Sequence, residues 1–209
     1  MGVFTSRRTL AAVILASESP RRLQLLRSLG LTVEVAPSGY DEPPTPGLRP
    51  AQLARNHARK KLKVVLGRYG HAHDVPVVAA DTVVDLDGAA LGKPRDPAEA
   101  VEMLKRLSGR QHFVHSAFVL AVPGEPVTED CVTTRVRFYP LERNEIEEYV
   151  ATGEALDKAG AYGIQGRAAA LVEGIDGDFY TVMGLPLGRF VRALRRLGFA
   201  LPKTNSTAG

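Results

Sequence analysis

The segment LASESPRRLQLL, residues 15–26, decides the fold of this chain because it turns a buried strand into a helix. The small and β-branched residues from Ala11 to Leu15 are typical of a buried strand. Ser19 is a residue type that caps helices, and Pro20 suits the first helical position, where no backbone N–H is needed. The segment therefore predicts a strand, a tight turn and a helix that ends near Gly30.

Two arginines, Arg21 and Arg22, stand in the first turn of that predicted helix. A helix N-terminus already carries partial positive charge, so two guanidinium groups there are unfavourable unless an anion lies among them. An Arg-Arg pair can also be an ordinary solvated surface feature. Because Ser17 and Ser19 accompany the pair at a strand-to-helix turn, we favour a phosphate site.

The composition is that of an ordinary globular protein. The 209 residues are 44% hydrophobic and 24% charged, with a formal net charge of +4. The basic residues are scattered and form no long run, so a nucleic-acid-binding arm is not expected. Cys131 is the single cysteine, which rules out an internal disulfide, and the apolar stretch near the N-terminus is too short to span a membrane. We therefore expect a cytoplasmic protein without membrane contact.

The pattern of helix and strand signals predicts one α/β domain over residues 11–200, between a disordered start at 1–10 and a disordered tail at 201–209. The stretch from Gly153 to Gly184 is rich in glycine and lacks periodicity, so we expect a functional loop there. Further strands are predicted near 31–37, 75–84, 111–122 and 127–139, and further helices near 50–70, 96–109, 142–151 and 186–197.

One acidic residue, Asp81, stands inside the most apolar run of the chain, residues 75–84. A buried carboxylate is costly unless it is paired or binds a cation. A surface position at a strand end is the alternative. Asp85 and Asp87 are explained by the Asp87-Gly88 hairpin turn that follows. Asp81 is therefore the first candidate for a functional carboxylate.

Two further pairs are candidates for the same site. Asp41-Glu42 follows directly on a strand end, where ligand groups collect in α/β proteins. His57 and Lys61 are four residues apart on the long helix and so share one face. His112 and His115 fall on opposite faces of one strand and cannot chelate a metal together, so no zinc site is predicted.

Six separated motifs, spread over about residues 12–200, resemble those of the Maf family of nucleotide pyrophosphatases and occur in the family order. They are SESPRR at 17–22, ADTVV at 80–84, GKP at 92–94, LSGRQH at 107–112, DKAGAYGIQG at 157–166 and GLPL at 184–187. The resemblance implies an elongated, two-lobed α/β fold, similar to that of the inosine triphosphate pyrophosphatases, with a mixed sheet, flanking helices and a central cleft. It also allows a homodimer.

The activity that the resemblance implies is hydrolysis of a nucleoside triphosphate to the monophosphate and pyrophosphate with a divalent cation, Mg²⁺ or Mn²⁺, in a house-cleaning role in nucleotide metabolism. Asp81 is expected to orient or deprotonate the attacking water, and Glu42 and Asp81 to hold the metal. The expected substrate-binding residues are Ser17, Arg21, Arg22, His57, Lys61, Thr82, Lys93 and Gln165.

Within the family, segment 157–166 looks like the branch that acts on dTTP and UTP, and on modified pyrimidine nucleotides. The branch acting on 7-methyl-GTP carries an acidic residue where Gln165 stands. A glutamine amide offers a donor and an acceptor, which suits the N3–H and O4 edge of uracil or thymine. Arg21 and Thr82 also match positions associated with that preference. Two alternatives remain: a 7-methyl-GTP pyrophosphatase, and a non-catalytic nucleotide or nucleic-acid binder that regulates septum formation.

The chain departs from the family pattern at two places. Where the family usually has Glu-Lys-Ala, this chain has Asn56-His57-Ala58, so a phosphate-binding lysine is replaced by histidine. Either Lys61, one turn further, compensates for the loss, or the site is weaker and more pH-sensitive. Thr181 stands where the family often has asparagine.

Overall fold

A mixed β-sheet with helices on both faces forms the centre of the molecule. The computed structural model describes residues 8–43, 45–69 and 74–203. The strands are β1 (Arg8–Thr9), β2 (Ala12–Leu15), β3 (Thr32–Val35), β4 (Val77–Leu86), β5 (Ala89–Leu91), β6 (Gln111–Ala121), β7 (Thr128–Phe138), β8 (Val172–Asp176) and β9 (Phe199–Ala200). The helices are α1 (Pro20–Ser28), α2 (Pro50–Tyr69), α3 (Pro97–Leu107), α4 (Arg143–Ala151), α5 (Phe179–Met183) and α6 (Leu187–Arg196).

Within the described residues, seven strands form this sheet in the order β3-β2-β4-β6-β7-β8, with β5 paired to β4. β2 runs parallel to both β3 and β4, whereas β4, β6, β7 and β8 pair antiparallel in succession. The predicted mixed sheet with flanking helices is therefore confirmed.

The strand-to-helix turn forms as the sequence predicts. The Ser19 hydroxyl accepts a hydrogen bond from the backbone N–H of Arg22 at 3.4 Å, and Pro20 takes the first helical position. Gly30 follows the helix with a φ of 78°, a left-handed conformation that glycine adopts without strain. Leu25 and Leu26 bury the inner face of α1 against the sheet.

Side chains of β4 alternate between the two faces of the sheet, and this alternation places the functional groups. Val77, Ala79 and Val83 pack in one core with the apolar face of α2. Val78, Ala80 and Thr82, which alternate with them, belong to the opposite face, where Thr82 forms a register pair with Ser116 of β6. Asp81 therefore lies on the α2 face and Thr82 on the α1 face, although the two are neighbours in sequence.

The Thr82 face holds two separate apolar cores, one on each side of the polar Thr82–Ser116 pair. The first packs α1 and α6 on residues such as Val78 and Phe118. The second packs α3 and α4 on residues such as Val84 and Val114. Polar side chains thus divide this face in the middle of β4 and β6.

The ends of the chain depart from the prediction. β1 pairs in parallel with β9, and Leu10 is buried, so the predicted disorder of residues 8–10 is wrong. Leu201 packs against the first core. Two-residue strands carry too few positions for a periodic signal, which is why the sequence did not reveal this pair. The remaining predicted disorder, at 1–7 and 204–209, lies outside the described residues.

The glycine-rich stretch 153–184 contains more structure than predicted. Two short 3-10 turns, β8 and α5 lie within it. β8 is an edge strand whose residues are mostly exposed, so it shows no alternation of apolar and polar residues. In the described part of the chain, no helix combines the length and apolar character needed to cross a lipid bilayer.

His112 is a buried histidine in the second core. Its Nε2 lies 2.6 Å from the Tyr162 hydroxyl, and its ring meets Phe138 edge-on. Burial lowers the pKa of His112 to about 4.

This pKa predicts a pH dependence of stability. Between an ordinary value of 6.5 and about 4, the unfolded chain binds a proton that the folded chain does not. The free energy of unfolding should therefore fall as pH decreases through this window, with a contribution from His112 of at most about 3 kcal/mol. Urea denaturation between these pH values should show a shallower dependence for His112→Gln than for wild type. Equal slopes would contradict the assignment.

Candidate active site

A cleft with a volume of about 760 Å³ opens where β2 ends and α1 begins. Its walls come from the turn before α1, the loop that precedes α2, one face of α2, the middle of β4, and segment 157–164. The end of a parallel strand at the start of a helix is a common ligand position in α/β folds. Nine of the residues predicted for the site line this cleft: Ser17, Arg21, Arg22, Glu42, His57, Lys61, Asp81, Thr82 and Lys93.

Three charged side chains meet at the α2 wall of the cleft. Lys61 Nζ lies 2.6 Å from Oδ1 of Asp81 and also contacts Oε1 of Glu42. The side chains of Asp81 and Lys61 are only 4% and 6% exposed, whereas that of Glu42 is 38% exposed. The expected buried carboxylate is therefore real, and its partner is the ammonium of Lys61.

Burial and charge shift the pKa values of the two carboxyl groups in opposite directions. Burial raises the pKa of Asp81 above its usual range; Lys61 opposes this effect and the negative charge of Glu42 adds to it. Burial also acts to raise the pKa of Glu42, but the charge and hydrogen bond of Lys61 outweigh it, and the pKa is lowered. A carboxylate with a raised pKa is the stronger base, which suits Asp81 to accept a proton from water.

The first residues of the loop that carries Glu42 are held by the C-terminal end of α2. Arg68 donates hydrogen bonds to the carbonyl oxygens of Pro37 and Ser38, and the Ser38 hydroxyl accepts from the backbone N–H of Tyr40. The Tyr40 hydroxyl lies 3.2 Å from Nδ1 of the buried His57. Tyr40 thus lines the cleft beside a predicted site residue. The sequence flagged this loop through its acidic pair, but side-chain direction in a loop has no periodic signal.

Arg22 is a buried side chain that connects several elements by hydrogen bonds at the start of α1. Its Nε donates to the carbonyl oxygen of Gly184 at 2.9 Å, and its terminal nitrogens donate to the hydroxyls of Ser17 and Thr82, each at 3.0 Å. The Thr82 hydroxyl in turn lies 2.6 Å from that of Ser116. Among the described residues these bonds use three of the five guanidinium donors. Arg22 therefore ties α1 to β4 and to the chain that enters α6, besides facing the cleft.

Arg21 lies nearer to solvent and faces segment 157–166. Its Nη1 is 3.9 Å from Oδ2 of Asp157, and Lys158 also donates to that carboxylate. Asp157 and Lys158 line the cleft, although sequence reasoning gave them no role beyond their motif. Lys93 is exposed, and its charge helps to lower the pKa of Glu42.

Gln165 is the one predicted site residue that the cleft does not include. It is exposed, while the neighbouring Gly163 and Ile164 line the cleft. Its contact with a nucleobase therefore stays a prediction. Thr181, the second departure from the family pattern, is buried; it donates to Asp178, and its carbonyl oxygen accepts from Ser116. The backbone at this position thus holds α5 against β6, while the threonine hydroxyl bonds to the residue that caps α5.

The donor set fits a divalent cation that substrate helps to hold. In the residues that the structure describes, no three histidine, cysteine or acidic side chains form a metal cluster. Asp81 and Glu42 nevertheless converge on one cation, the Lys61 ammonium. Mg²⁺ is commonly bound through one or two carboxylates together with substrate phosphates. These two residues would hold such an ion.

Comparison with known proteins identifies the family. The protein-family model described as Maf-like protein matches residues 12–197 of this chain. The chain belongs to the Maf family. A Thermus thermophilus relative named dTTP/UTP pyrophosphatase is 51% identical over 187 residues, covering 90% of this chain and 95% of the relative. Relatives of the same name from Symbiobacterium thermophilum and Bordetella pertussis are 49% and 46% identical, covering 90% and 93% of this chain and 95% and 98% of their own lengths.

Solved structures with a similar backbone are more distant from this Maf-family chain. A nucleoside-triphosphatase / dITP/XTP pyrophosphatase from Mycobacterium abscessus superposes with a TM-score of 0.40 at 17% identity, covering 90% of this chain and 94% of that one. A HAM1 protein from Coxiella burnetii superposes with a TM-score of 0.43 at 17% identity, covering 89% and 99%.

The two arginines should respond differently to substitution. Arg22→Met should lower the free energy of unfolding by about 2–4 kcal/mol, because buried acceptors at Ser17, Thr82 and Gly184 lose their donor. Arg21→Met removes one long ion pair with an exposed partner and should change it by less than about 0.5 kcal/mol. Urea denaturation of both variants measures the difference. Equal stability of the two would show that Arg22 is not a structural hub.

Proposed function

We propose that the protein hydrolyses dTTP and UTP, and modified pyrimidine nucleoside triphosphates, to the nucleoside monophosphate and pyrophosphate. The observation that carries the proposal is one cleft lined both by a buried carboxylate, Asp81, and by the arginines at the start of α1. Relatives that are 46% to 51% identical carry the name dTTP/UTP pyrophosphatase, and this chain covers 95% to 98% of their lengths.

The cationic wall would bind the triphosphate. Arg21 and Lys93 are solvent-accessible donors at the cleft, and the first turn of α1 adds backbone N–H groups with partial positive charge. Arg22 keeps donors beyond those used in its buried network, and the Ser17 hydroxyl lies beside it. His57 lies on the α2 wall, where it stands in place of the lysine usual in the family.

Asp81 would carry the chemical step. Its carboxylate orients a water molecule towards the phosphorus atom next to the sugar and accepts a proton from it. The bond from that phosphorus to the bridging oxygen breaks, and pyrophosphate leaves with the bond electrons. Asp81 and Glu42 would hold Mg²⁺ or Mn²⁺, which supplies charge neutralisation and lowers the pKa of the attacking water. Arg21 and Lys93, which line the cleft, would stabilise the negative charge of the leaving group.

The proposal extends to the setting of the enzyme. We propose a cytoplasmic house-cleaning enzyme that acts on free nucleotides, without nucleic-acid or membrane partners, and that assembles as a homodimer. The scattered basic residues and the modest net charge of +4 support the absence of a nucleic-acid surface. Sedimentation of the purified protein measures the assembly state directly.

Substitution of Asp81 separates an enzyme from a non-catalytic regulator of septum formation. Asp81→Asn should lower kcat for pyrophosphate release from UTP by about 100-fold or more, because the amide cannot accept the proton. Asp87→Asn is the matched control: Asp87 is exposed in the hairpin turn and should keep wild-type turnover. A wild-type protein inactive on every nucleoside triphosphate with Mg²⁺ or Mn²⁺ would contradict the proposal.

A substrate panel tests base recognition. The wild type should prefer UTP and dTTP over CTP and 7-methyl-GTP in kcat/KM. Gln165→Glu should lower kcat/KM for UTP and dTTP by about 10-fold, with a smaller effect on CTP, because a donor to the O4 edge is lost.

Gln111→Glu, an exposed position at the start of β6, introduces the same charge change as a control. An equal effect of Gln165→Glu on all bases would remove Gln165 from base recognition. A preference for 7-methyl-GTP in the wild type would support the alternative specificity.

A further inference from the structure

Lys61 lies where the two candidate metal ligands converge. Its Nζ is 2.6 Å from Oδ1 of Asp81 and contacts Oε1 of Glu42, and its side chain is 6% exposed. The two carboxylates come from separate parts of the chain, the middle of β4 and the loop after β3. One ammonium thus holds together the two oxygen donors that a divalent cation would need.

The surroundings of Lys61 keep its ammonium between these carboxylates. Its neighbours on the inner face of α2 are the buried apolar residues Ala58, Leu62 and Val65, together with the buried His57, whose Nδ1 lies 3.2 Å from the Tyr40 hydroxyl. An ammonium removed from water is stable only when it is paired with opposite charge. Within the described residues, the ammonium makes ion pairs with these two carboxylates, which supply that pairing.

A lysine ammonium and a divalent cation cannot share this position. Two positive charges a few ångströms apart repel each other strongly at the edge of a protein interior, and both are attracted to the point where the two carboxylates converge. A metal coordinated by Oδ1 of Asp81 and Oε1 of Glu42, the two oxygens that converge, therefore competes directly with Lys61.

We propose that Lys61 is a resident cation of the metal site, which positions Asp81 and Glu42 before substrate arrives and must be displaced before a divalent metal binds. The inference rests on the proposed function only for the assignment of these two carboxylates as metal ligands. The triphosphate offers Lys61 new anionic partners and offers the metal further ligands. Metal binding is consequently weak in the free protein and coupled to nucleotide binding, in a reciprocal way.

Mn²⁺ binding to the nucleotide-free protein tests the proposal, with the signal of unbound Mn²⁺ followed by electron paramagnetic resonance. Lys61→Met removes the competing charge but keeps an unbranched side chain, and it should bind Mn²⁺ about tenfold more tightly than wild type. Lys60→Met is the matched control, since Lys60 is exposed on the same helix, and it should bind like wild type. Equal or weaker binding by Lys61→Met would overturn the proposal.

Two additions keep the test decisive. Lys61→Arg retains the positive charge and should bind Mn²⁺ as weakly as wild type, whereas Lys61→Gln should bind Mn²⁺ tightly. If thermal unfolding shows that Lys61→Met does not fold, the comparison of Lys61→Arg with Lys61→Gln replaces it. With a non-hydrolysable α,β-imido UTP, Mn²⁺ affinity should rise more in wild type than in the neutral variant. An equal rise would contradict displacement.

None of these titrations requires turnover. Tight Mn²⁺ binding by Lys61→Met in a protein that hydrolyses no nucleotide would support the role of Lys61 and reject the proposed function. Normal hydrolysis by the wild type, together with unchanged Mn²⁺ binding by Lys61→Met, would support the proposed function and reject the role of Lys61.

Discussion

The contact between the Lys61 ammonium and the Asp81 carboxylate is the interaction on which the site depends. Asp81 lies inside an apolar strand, and a carboxylate there requires a cation within contact distance. Lys61 supplies it from α2, so that the helix, the central strand and the Glu42 loop meet at one point. Removing either partner would leave an uncompensated buried charge, which costs more than the pair itself contributes. The pairing is thus a constraint on geometry more than a source of stability.

The neighbouring residue, Thr82, organises the opposite face of the same strand. Its hydroxyl connects Arg22 to Ser116, and this polar connection separates the two apolar cores of that face. Because adjacent residues in a strand point to opposite faces, the dipeptide Asp81-Thr82 joins the part of the cleft that contains Lys61 to the part that contains Arg22. The cleft is therefore a direct consequence of strand alternation at a point where polar residues interrupt an apolar run.

Much of this arrangement could be predicted from the sequence, wherever local physics decides. Ser19 and Pro20 carry their own helix signal, and a carboxylate at Asp81 is conspicuous in its apolar run. Nine of the predicted residues line one cleft because the turn before α1, the loop after β3, one face of α2 and the middle of β4 all border it. The replacement of a family lysine by His57 also drew attention to Lys61, one turn along the same helix face.

Other features depend on long-range packing that no local pattern encodes. β1 and β9 are stabilised by pairing between opposite ends of the chain, and β8 is an edge strand without alternation. The two roles of Arg22, buried hub and cleft donor, cannot be separated by sequence because Arg21 stands in the same helical turn. Tyr40 and the exposed position of Gln165 follow from loop conformation, which sequence periodicity does not report.

The central claim is that the cleft directs water, oriented by Asp81, at the phosphorus atom next to the sugar. Hydrolysis of UTP in ¹⁸O-labelled water, with both products analysed by mass spectrometry, tests this claim most directly. The account predicts ¹⁸O in the uridine monophosphate and none in the pyrophosphate. Label in the pyrophosphate, or orthophosphate and uridine diphosphate as products, would contradict it.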